Sequence, residues 1–266
     1  MVEMENKNHI WIDTRLTEEG MIFLWDAISK ENKIDYSDSI EGNLSRSELL
    51  TDKNNWFYET ILKRLCERMF YRNWANYYKY FVEKQESLPK FKLELLWVNY
   101  QKQHEFNPLH DHGGLYSFVI FMKIPTHWQE QYNLGSSIHT DSIHTSNFQF
   151  IQSEKNNEFC KITEFRLSSE DEGRMLFFPA TLQHMVHPFY ECEEERVTIS
   201  GNIRLYDSKK GETFHVDPPH ELKRQEFSVG EYETKKKMLE TIENSVEMLK
   251  KELKQIKKVE ENRGSN

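Results

Sequence analysis

Apolar residues return at helical intervals early in this chain and at strand intervals from its middle onward. Within 17–30, Met21, Phe23, Leu24 and Ala27 fall near helical spacing, and Thr17 followed by Glu18 and Glu19 is a cap with an acidic first turn. Asp52 precedes a second such segment, whose Trp56, Phe57, Thr60, Ile61, Leu65 and Met69 form a stripe expected to face a core. Residues 1–90 therefore read as a helical N-terminal part packed on a downstream core. From Phe91 the texture changes to short apolar or alternating runs at 93–100, 116–124, 147–152, 160–167, 174–179, 184–190 and 196–206. Polar or Gly/Pro-containing links separate them, a spacing that predicts an antiparallel sandwich or barrel over 91–210. The expected class is α+β with a mainly β core. The link 126–146 is long for a compact domain, which makes it a candidate lid or substrate-contacting loop.

The C-terminal region follows a third rule. Pro218 and Pro219 mark a linker over 211–228, and 229–266 reads as an amphipathic helix. In it Leu239, Ile242, Val246, Leu249, Leu253 and Ile256 recur at spacings of 3, 4, 3, 4 and 3, flanked by Glu and Lys. That stripe suits a helix docked on its own domain or a self-associating coiled coil. An a/d-only stripe is narrower than a docked helix usually shows.

Composition narrows the class. Of 266 residues 37% are hydrophobic, 30% charged and 13% aromatic, so a core can form and disorder throughout is excluded. The longest apolar runs, such as Val119-Ile120-Phe121-Met122, are far short of the ~18 residues a membrane helix needs, so no membrane partner is expected. The opening MVEMENKNHI has no basic start leading into an apolar stretch, so no secretory signal is expected. Three cysteines (Cys66, Cys160, Cys192) are too few and scattered for a disulfide framework or zinc cluster, which fits a reducing, cytoplasmic setting. A net charge of −9 weighs against nonspecific nucleic-acid binding.

Candidate chemistry begins at Glu105-Phe106-Asn107-Pro108-Leu109-His110-Asp111-His112-Gly113-Gly114, just before an apolar run. In extended chain His110 and His112 share a face and Asp111 points oppositely, so both imidazoles can reach one ion. Imidazole suits Fe, Zn, Cu and Ni, with a third ligand needed from elsewhere. A run ending at Phe178-Pro179 leads into His184 and His187, which differ by three positions and so face opposite sides of a strand. Only one of them should be a ligand. Arg196, Thr198 and Ser200 share a face of the last long run, where an arginine can clamp a carboxylate bidentately. The competing reading for Arg196 is an ion pair with Glu193, Glu194 or Glu195. His127, His139 and His144 read as solvated loop residues, His215 and His220 as linker residues, and the cysteines as ordinary thiols.

Together, His110-Asp111-His112-Gly113-Gly114 and Phe178-Pro179, His184, Pro188 and Arg196-Val197-Thr198 resemble the Fe(II)/2-oxoglutarate-dependent oxygenase family over about 93–206. The form is similar to phage-borne and bacterial members with an H-x-H-G first motif. The resemblance implies a double-stranded β-helix (jelly-roll or cupin-like) carrying iron at its open end. It implies His110, His112 and His184 as metal ligands, Fe(II) and 2-oxoglutarate as cofactors, and succinate and carbon dioxide as products. Arg196 with Thr198 would receive the far carboxylate of the cosubstrate; Tyr100 and Tyr116 could hydrogen-bond it, with core packing the preferred reading for a half-buried tyrosine. Most of the wider family shows H-x-D; here His112 holds the aspartate's place, leaving bound Fe(II) at net +2. A bulged strand turning Asp111 inward is the alternative ligand set. The implied substrates range from peptidyl-prolyl groups to small molecules, with nucleic acid less expected. A non-catalytic barrel module with a vestigial metal site is the competing function, and a zinc-dependent or cupin-like enzyme would have no use for the arginine clamp.

The heptads generate a first prediction. If 239–256 form an intermolecular coiled coil, deletion of everything after Ser228 yields a monomer that still binds metal, while the full chain self-associates. Sedimentation of both chains checks this, and a full-length monomer well above micromolar concentration contradicts it.

Overall fold

Two long strands run through the middle of the protein because their side chains alternate so as to serve two interiors at once. They are β4 (Lys90–Gln101) and β11 (Arg196–Asp207), antiparallel, with Arg196 opposite Gln101 and Tyr206 opposite Lys90. The structure, a computed structural model, describes residues 10–30, 34–72, 90–153, 160–207 and 211–214. One face of the pair carries Leu96, Val98, Tyr100, Val197, Ile199 and Ile203, all in one buried cluster. The other carries Trp97, Asn99, Thr198, Ser200 and Asn202, which line a cavity. Period-two alternation on strands covered on both sides produces this split.

Around this spine the sheet grows outward in both directions. β6 (Tyr116–Lys123) pairs with β11, β9 (Arg174–Pro179) with β6, and β1 (Ile12–Arg15) with β9. On the other side β3 (Ser47–Leu49) pairs with β4 and β2 (Ile34–Asp35) with β3, while β12 (Glu212–Phe214) pairs with the end of β11. A second sheet has the order β5-β10-β7-β8, from β5 (Asn107–His110), β10 (Gln183–Val186), β7 (Phe148–Ser153) and β8 (Cys160–Phe165). Its Phe148, Phe150 and Phe165 cluster with Val119, Phe121, Leu176 and Phe178 of the large sheet. Antiparallel sheets facing one another, with neighbours distant in sequence, make a double-stranded β-helix that is open rather than closed.

Helices cover the other face of the large sheet. In α1 (Glu18–Ser29) the Thr17 hydroxyl accepts from the Gly20 N–H at 3.2 Å. The Asp52 carboxylate accepts from the Phe57 and Tyr58 N–H groups at 2.8 and 2.9 Å, opening a π turn at Tyr58–Leu62 that continues into α2 (Lys63–Arg72). Leu24, Phe57, Ile61, Leu65 and Met69 of the expected stripes are buried in the core cluster together with Ile28 and Leu62, while Thr60 is exposed. Each such burial contributes about 1.5–3 kcal/mol.

The structure corrects the expected boundaries at two places. The N-terminal part is not purely helical, since β1, β2 and β3 join the large sheet. Strands of two to four residues are too short to display an alternation. The core also runs past 210, because β12 begins the stretch read as linker. The chain divides into units 1–218 and 219–266, and the heptad segment lies outside the described residues.

Gly201 sits mid-β11, paired with Leu96 and Phe118. A Cβ there would lie 2.5 Å from Phe118 Cζ and 2.7 Å from the Leu95 carbonyl oxygen. Gly201→Ala is expected to destabilise the fold by about 1–3 kcal/mol through overpacking, read as a lower urea midpoint.

Candidate metal centre

β5 and β10 are antiparallel neighbours in which His110 stands directly opposite His184. The chain then leaves β5 through His112, whose N–H donates to the Ala180 carbonyl at 2.9 Å. Gly114 makes the next step possible. Its φ is +118°, and a Cβ there would approach the Ile203 carbonyl oxygen to 2.9 Å, so glycine is required for the chain to cross to β6. The result brings three imidazoles together, with ring centroids 4.2 Å (His110–His184), 4.9 Å (His112–His184) and 5.1 Å (His110–His112) apart.

Hydrogen bonds fix which nitrogens face inward. His110 Nδ1 lies 2.7 Å from the Pro108 carbonyl and His184 Nδ1 lies 2.9 Å from the Leu182 carbonyl. A carbonyl only accepts, so both Nδ1 atoms carry the proton and both Nε2 atoms present lone pairs. His112 Nε2 is 3.1 Å from His184 Nε2. Two nitrogens each about 2.1 Å from one ion at right angles would be about 3.0 Å apart. The three residues offer ligand atoms within 4.8 Å of one another, and they are the one such His/Cys/Asp/Glu group among the described residues.

Burial keeps two of the rings neutral. His184 is pushed well below the ordinary histidine value by burial, then by His110 and His112, against a smaller opposing effect of the Leu182 carbonyl. His112 falls to about 3, from burial first and His110 second. The wall responsible is aromatic: Phe178 and Phe148 lie 5.1 and 5.7 Å from His184, and Trp97 lies 5.8 Å from His112. Neutral imidazoles with converging lone pairs are what a soft-to-borderline divalent ion binds.

Asp111 lies just past the end of β5 and outside the three-histidine group; it is exposed and borders the cavity. The inward-bulge alternative is therefore not what the structure adopts. His187 also turns away, its Nε2–H donating to Gln149 Oε1 at 2.9 Å beside His144 and Glu164. His127 accepts from the Gln129 N–H at the start of a short helix, α3 (Trp128–Tyr132), His139 is exposed, and His215 and His220 lie outside the described residues. Cys66 is buried, and Cys160 and Cys192 are free.

The histidines form one wall of a cavity of about 210 Å³. Its floor is the polar face of β4 and β11. There Ser47 and Ser117 hydroxyls donate to the side-chain carbonyls of Asn99 (2.8 Å) and Asn202 (3.1 Å), two residues that line the cavity. The opposite rim comes from Tyr36, Ile40, Glu41 and Gly42. A Cβ on Gly42 would lie 1.8 Å from Asn107 Oδ1, so this segment reaches the site only through a glycine. Sequence reasoning missed this rim, and it placed the candidate lid instead at 126–146, no residue of which lines the cavity. That loop folds through α3 and ends on Arg196.

Arg196 shares the face of β11 that carries the cavity-lining Thr198, Ser200 and Asn202, but it is itself buried, 1% exposed, and does not line the cavity. Its Nη1 donates to Gln101 Oε1 at 3.3 Å, its Nη2 donates to the Ser146 carbonyl at 3.0 Å and to the Ser146 hydroxyl, and Phe189 packs 5.1 Å from its guanidinium. Nε has no partner. The competing ion-pair reading fails, because Glu193 takes Gln103, Glu194 takes Lys123 and Glu195 takes Arg46. Burial lowers Arg196 to about 10, which leaves it charged at neutral pH. Tyr100 and Tyr116 do not meet the cavity. Both lie on the helix-facing side, Tyr100 donating to Glu48 at 3.2 Å under Arg46 and Tyr116 packing on Phe177. Their parity is opposite to that of Asn99 and Ser117 (which does face Asn202), so a role on the cosubstrate is not available to them.

Residues 95–202 match the family model described as "Putative 2OG-Fe(II) oxygenase". No curated protein matches the chain. Among solved structures it is similar to a 2OG-Fe(II) oxygenase family oxidoreductase from Burkholderia pseudomallei (8% identity, 73% of this chain, 85% of that one, TM-score 0.46). It is also similar to a viral collagen prolyl hydroxylase from Paramecium Bursaria Chlorella virus-1 in its 2OG complex (12%, 74%, 96%, 0.40). A third is a Trichoplax adhaerens prolyl hydroxylase bound to a hypoxia inducible factor peptide fragment (10%, 76%, 86%, 0.43).

The opposed faces of His184 and His187 generate a prediction. His184→Ala should abolish Fe(II) binding and His187→Ala should leave it largely intact, measured by metal content after anaerobic loading. Equal loss in both variants would contradict the assignment.

Proposed function

Because residues 95–202 belong to the 2OG-Fe(II) oxygenase family, we propose that the protein is an Fe(II)- and 2-oxoglutarate-dependent dioxygenase that hydroxylates a protein or small-molecule substrate, releasing succinate and carbon dioxide. Two features support this reading: three converging imidazoles at the cavity and, on the β11 face that carries the cavity-lining Thr198, a buried guanidinium with no carboxylate partner among the described residues.

The donor set fits a divalent metal. His110, His112 and His184 would hold it, and three protein ligands leave further positions open to the cosubstrate and dioxygen. When bound, Fe(II) supplies the redox chemistry by which dioxygen oxidises 2-oxoglutarate and a substrate C–H bond together. The protein's part is placement and exclusion of water. Arg196 fits the far carboxylate of 2-oxoglutarate: a buried cation with an orphaned Nε–H calls for an anion. Thr198, one step along the same face, offers a hydroxyl to the same end.

The rim informs the substrate. Cavity-lining residues include the carboxylates of Glu41 and Asp111 and no lysine or arginine, which disfavours a polyanionic substrate such as nucleic acid. A second reading, a non-catalytic module with a vestigial metal site, draws on the all-imidazole ligand set. Retention of an unneutralised buried Arg196 speaks against it.

The clamp is tested by Arg196→Lys. Lysine keeps the charge but loses the planar fork, so 2-oxoglutarate affinity should fall by about 1–3 kcal/mol while Fe(II) affinity hardly changes, read by anaerobic calorimetry. Unchanged cosubstrate affinity would remove Arg196 from the site.

A further inference from the structure

Ser146 stands out among the residues that the metal site does not use. It is fully buried, yet its φ is +69°, a left-handed conformation that a serine adopts only at a cost. Glycine would take that conformation freely. Serine's side chain and main chain both act here on one target. The carbonyl accepts from Arg196 Nη2 at 3.0 Å, and the hydroxyl accepts from the same nitrogen.

The residue is itself braced from three directions. Its N–H donates to the Pro188 carbonyl at 2.8 Å, just beyond β10. Its hydroxyl lies 3.1 Å from that of Thr126, so the two ends of the 126–146 loop meet at this point. Across the guanidinium, Gln101 receives Nη1, and its own amide N–H2 is held by the Glu105 and His187 carbonyls at 2.6 and 3.3 Å, which aims Oε1 at the arginine. Ser146, Gln101 and Phe189 thus fix the plane of the guanidinium and leave Nε–H without a partner. Strain retained at one residue, for a hydroxyl aimed at a binding group, is the pattern expected where geometry serves function.

We propose that Ser146 is a positioning residue, holding the Arg196 guanidinium in the orientation that receives the distal carboxylate of the 2-oxo acid cosubstrate. This role rests on the dioxygenase reading. It is one of preorganisation: a guanidinium whose supporting shell is fixed binds its anion without first having to be ordered.

Ser146→Gly separates positioning from mere structure. It relieves the backbone, keeps the carbonyl contact and removes only the hydroxyl. Full-length wild type, Ser146→Gly and Ser146→Ala, each loaded anaerobically with Fe(II), are titrated with 2-oxoglutarate and with 2-oxobutyrate, which lacks the distal carboxylate; Tm is measured alongside. The expected result for Ser146→Gly is an equal or higher Tm, unchanged 2-oxobutyrate affinity and about tenfold weaker 2-oxoglutarate. Ser146→Ala should show the same selective loss with a lower Tm. Overturning results are 2-oxoglutarate binding as tight as wild type or tighter, which would make the hydroxyl idle or a competitor, and equal weakening of both acids, which would make the effect general. A wild type that fails to prefer 2-oxoglutarate over 2-oxobutyrate would instead overturn the clamp itself, and the positioning role with it.

Discussion

The alternation of β4 and β11 is the constraint on which the rest of the molecule depends. Over 96–101 and 196–203 both strands are covered on two sides, so successive residues turn alternately to the helical core and to the polar face that floors the cavity. Val197, Ile199 and Ile203 supply apolar surface to one side, while Thr198, Ser200 and Asn202 build a polar floor on the other and Arg196 is buried on that same face. A slip of one residue would exchange the two sets and ruin both interiors. Gly201 allows the pair to close around Phe118 at the point where the two sides are tightest. The second sheet then needs only to present His110 and His184 in register across one antiparallel pair, with His112 delivered by the turn through Gly114.

Charge at the site follows from that geometry. Three imidazoles add none to a bound ion, two of them held neutral by burial, and Arg196 adds a buried positive charge with no acidic partner among the described residues. A divalent ion and a guanidinium in one poorly solvated interior would be costly by themselves. On the proposed function, the two carboxylates of 2-oxoglutarate answer both, one at the metal and one at Arg196. A carboxylate in place of His112 would reduce the charge at the metal by one. On the same proposal, an H-x-H centre would depend more on its anionic cosubstrate than an H-x-D centre would.

Much of this is legible in the sequence, and the failures have physical causes. β4, β6, β7, β8, β9, β10 and β11 announce themselves as apolar or alternating runs, whereas His110 and His112 do not share a strand face, since β5 ends at His110 and His112 comes in on the turn that follows. The antiparallel core expected from those runs matches the observed sheets. Tyr100 and Tyr116 mislead because β4 beyond Leu96 and nearly all of β6 are buried on both faces, so no polar side marks which way is in. The rim at Tyr36–Gly42 carries no periodic signal. It exists by tertiary contact alone, through Gly42 against Asn107. Likewise the 126–146 loop looks like a lid because of its length, while its ends are tied by Thr126, Ser146 and Arg196, partners that no local pattern reveals.

The imidazole cluster and Arg196 are proposed to serve one reaction. The most direct measurement is an anaerobic titration of the full-length protein with Fe(II) and then 2-oxoglutarate, followed by admission of oxygen and assay for succinate. The expected result is saturable binding of both, with succinate formed only when metal, cosubstrate and oxygen are all present. Tight Fe(II) binding with no 2-oxoglutarate binding and no succinate would contradict it and leave a metal site without its reaction.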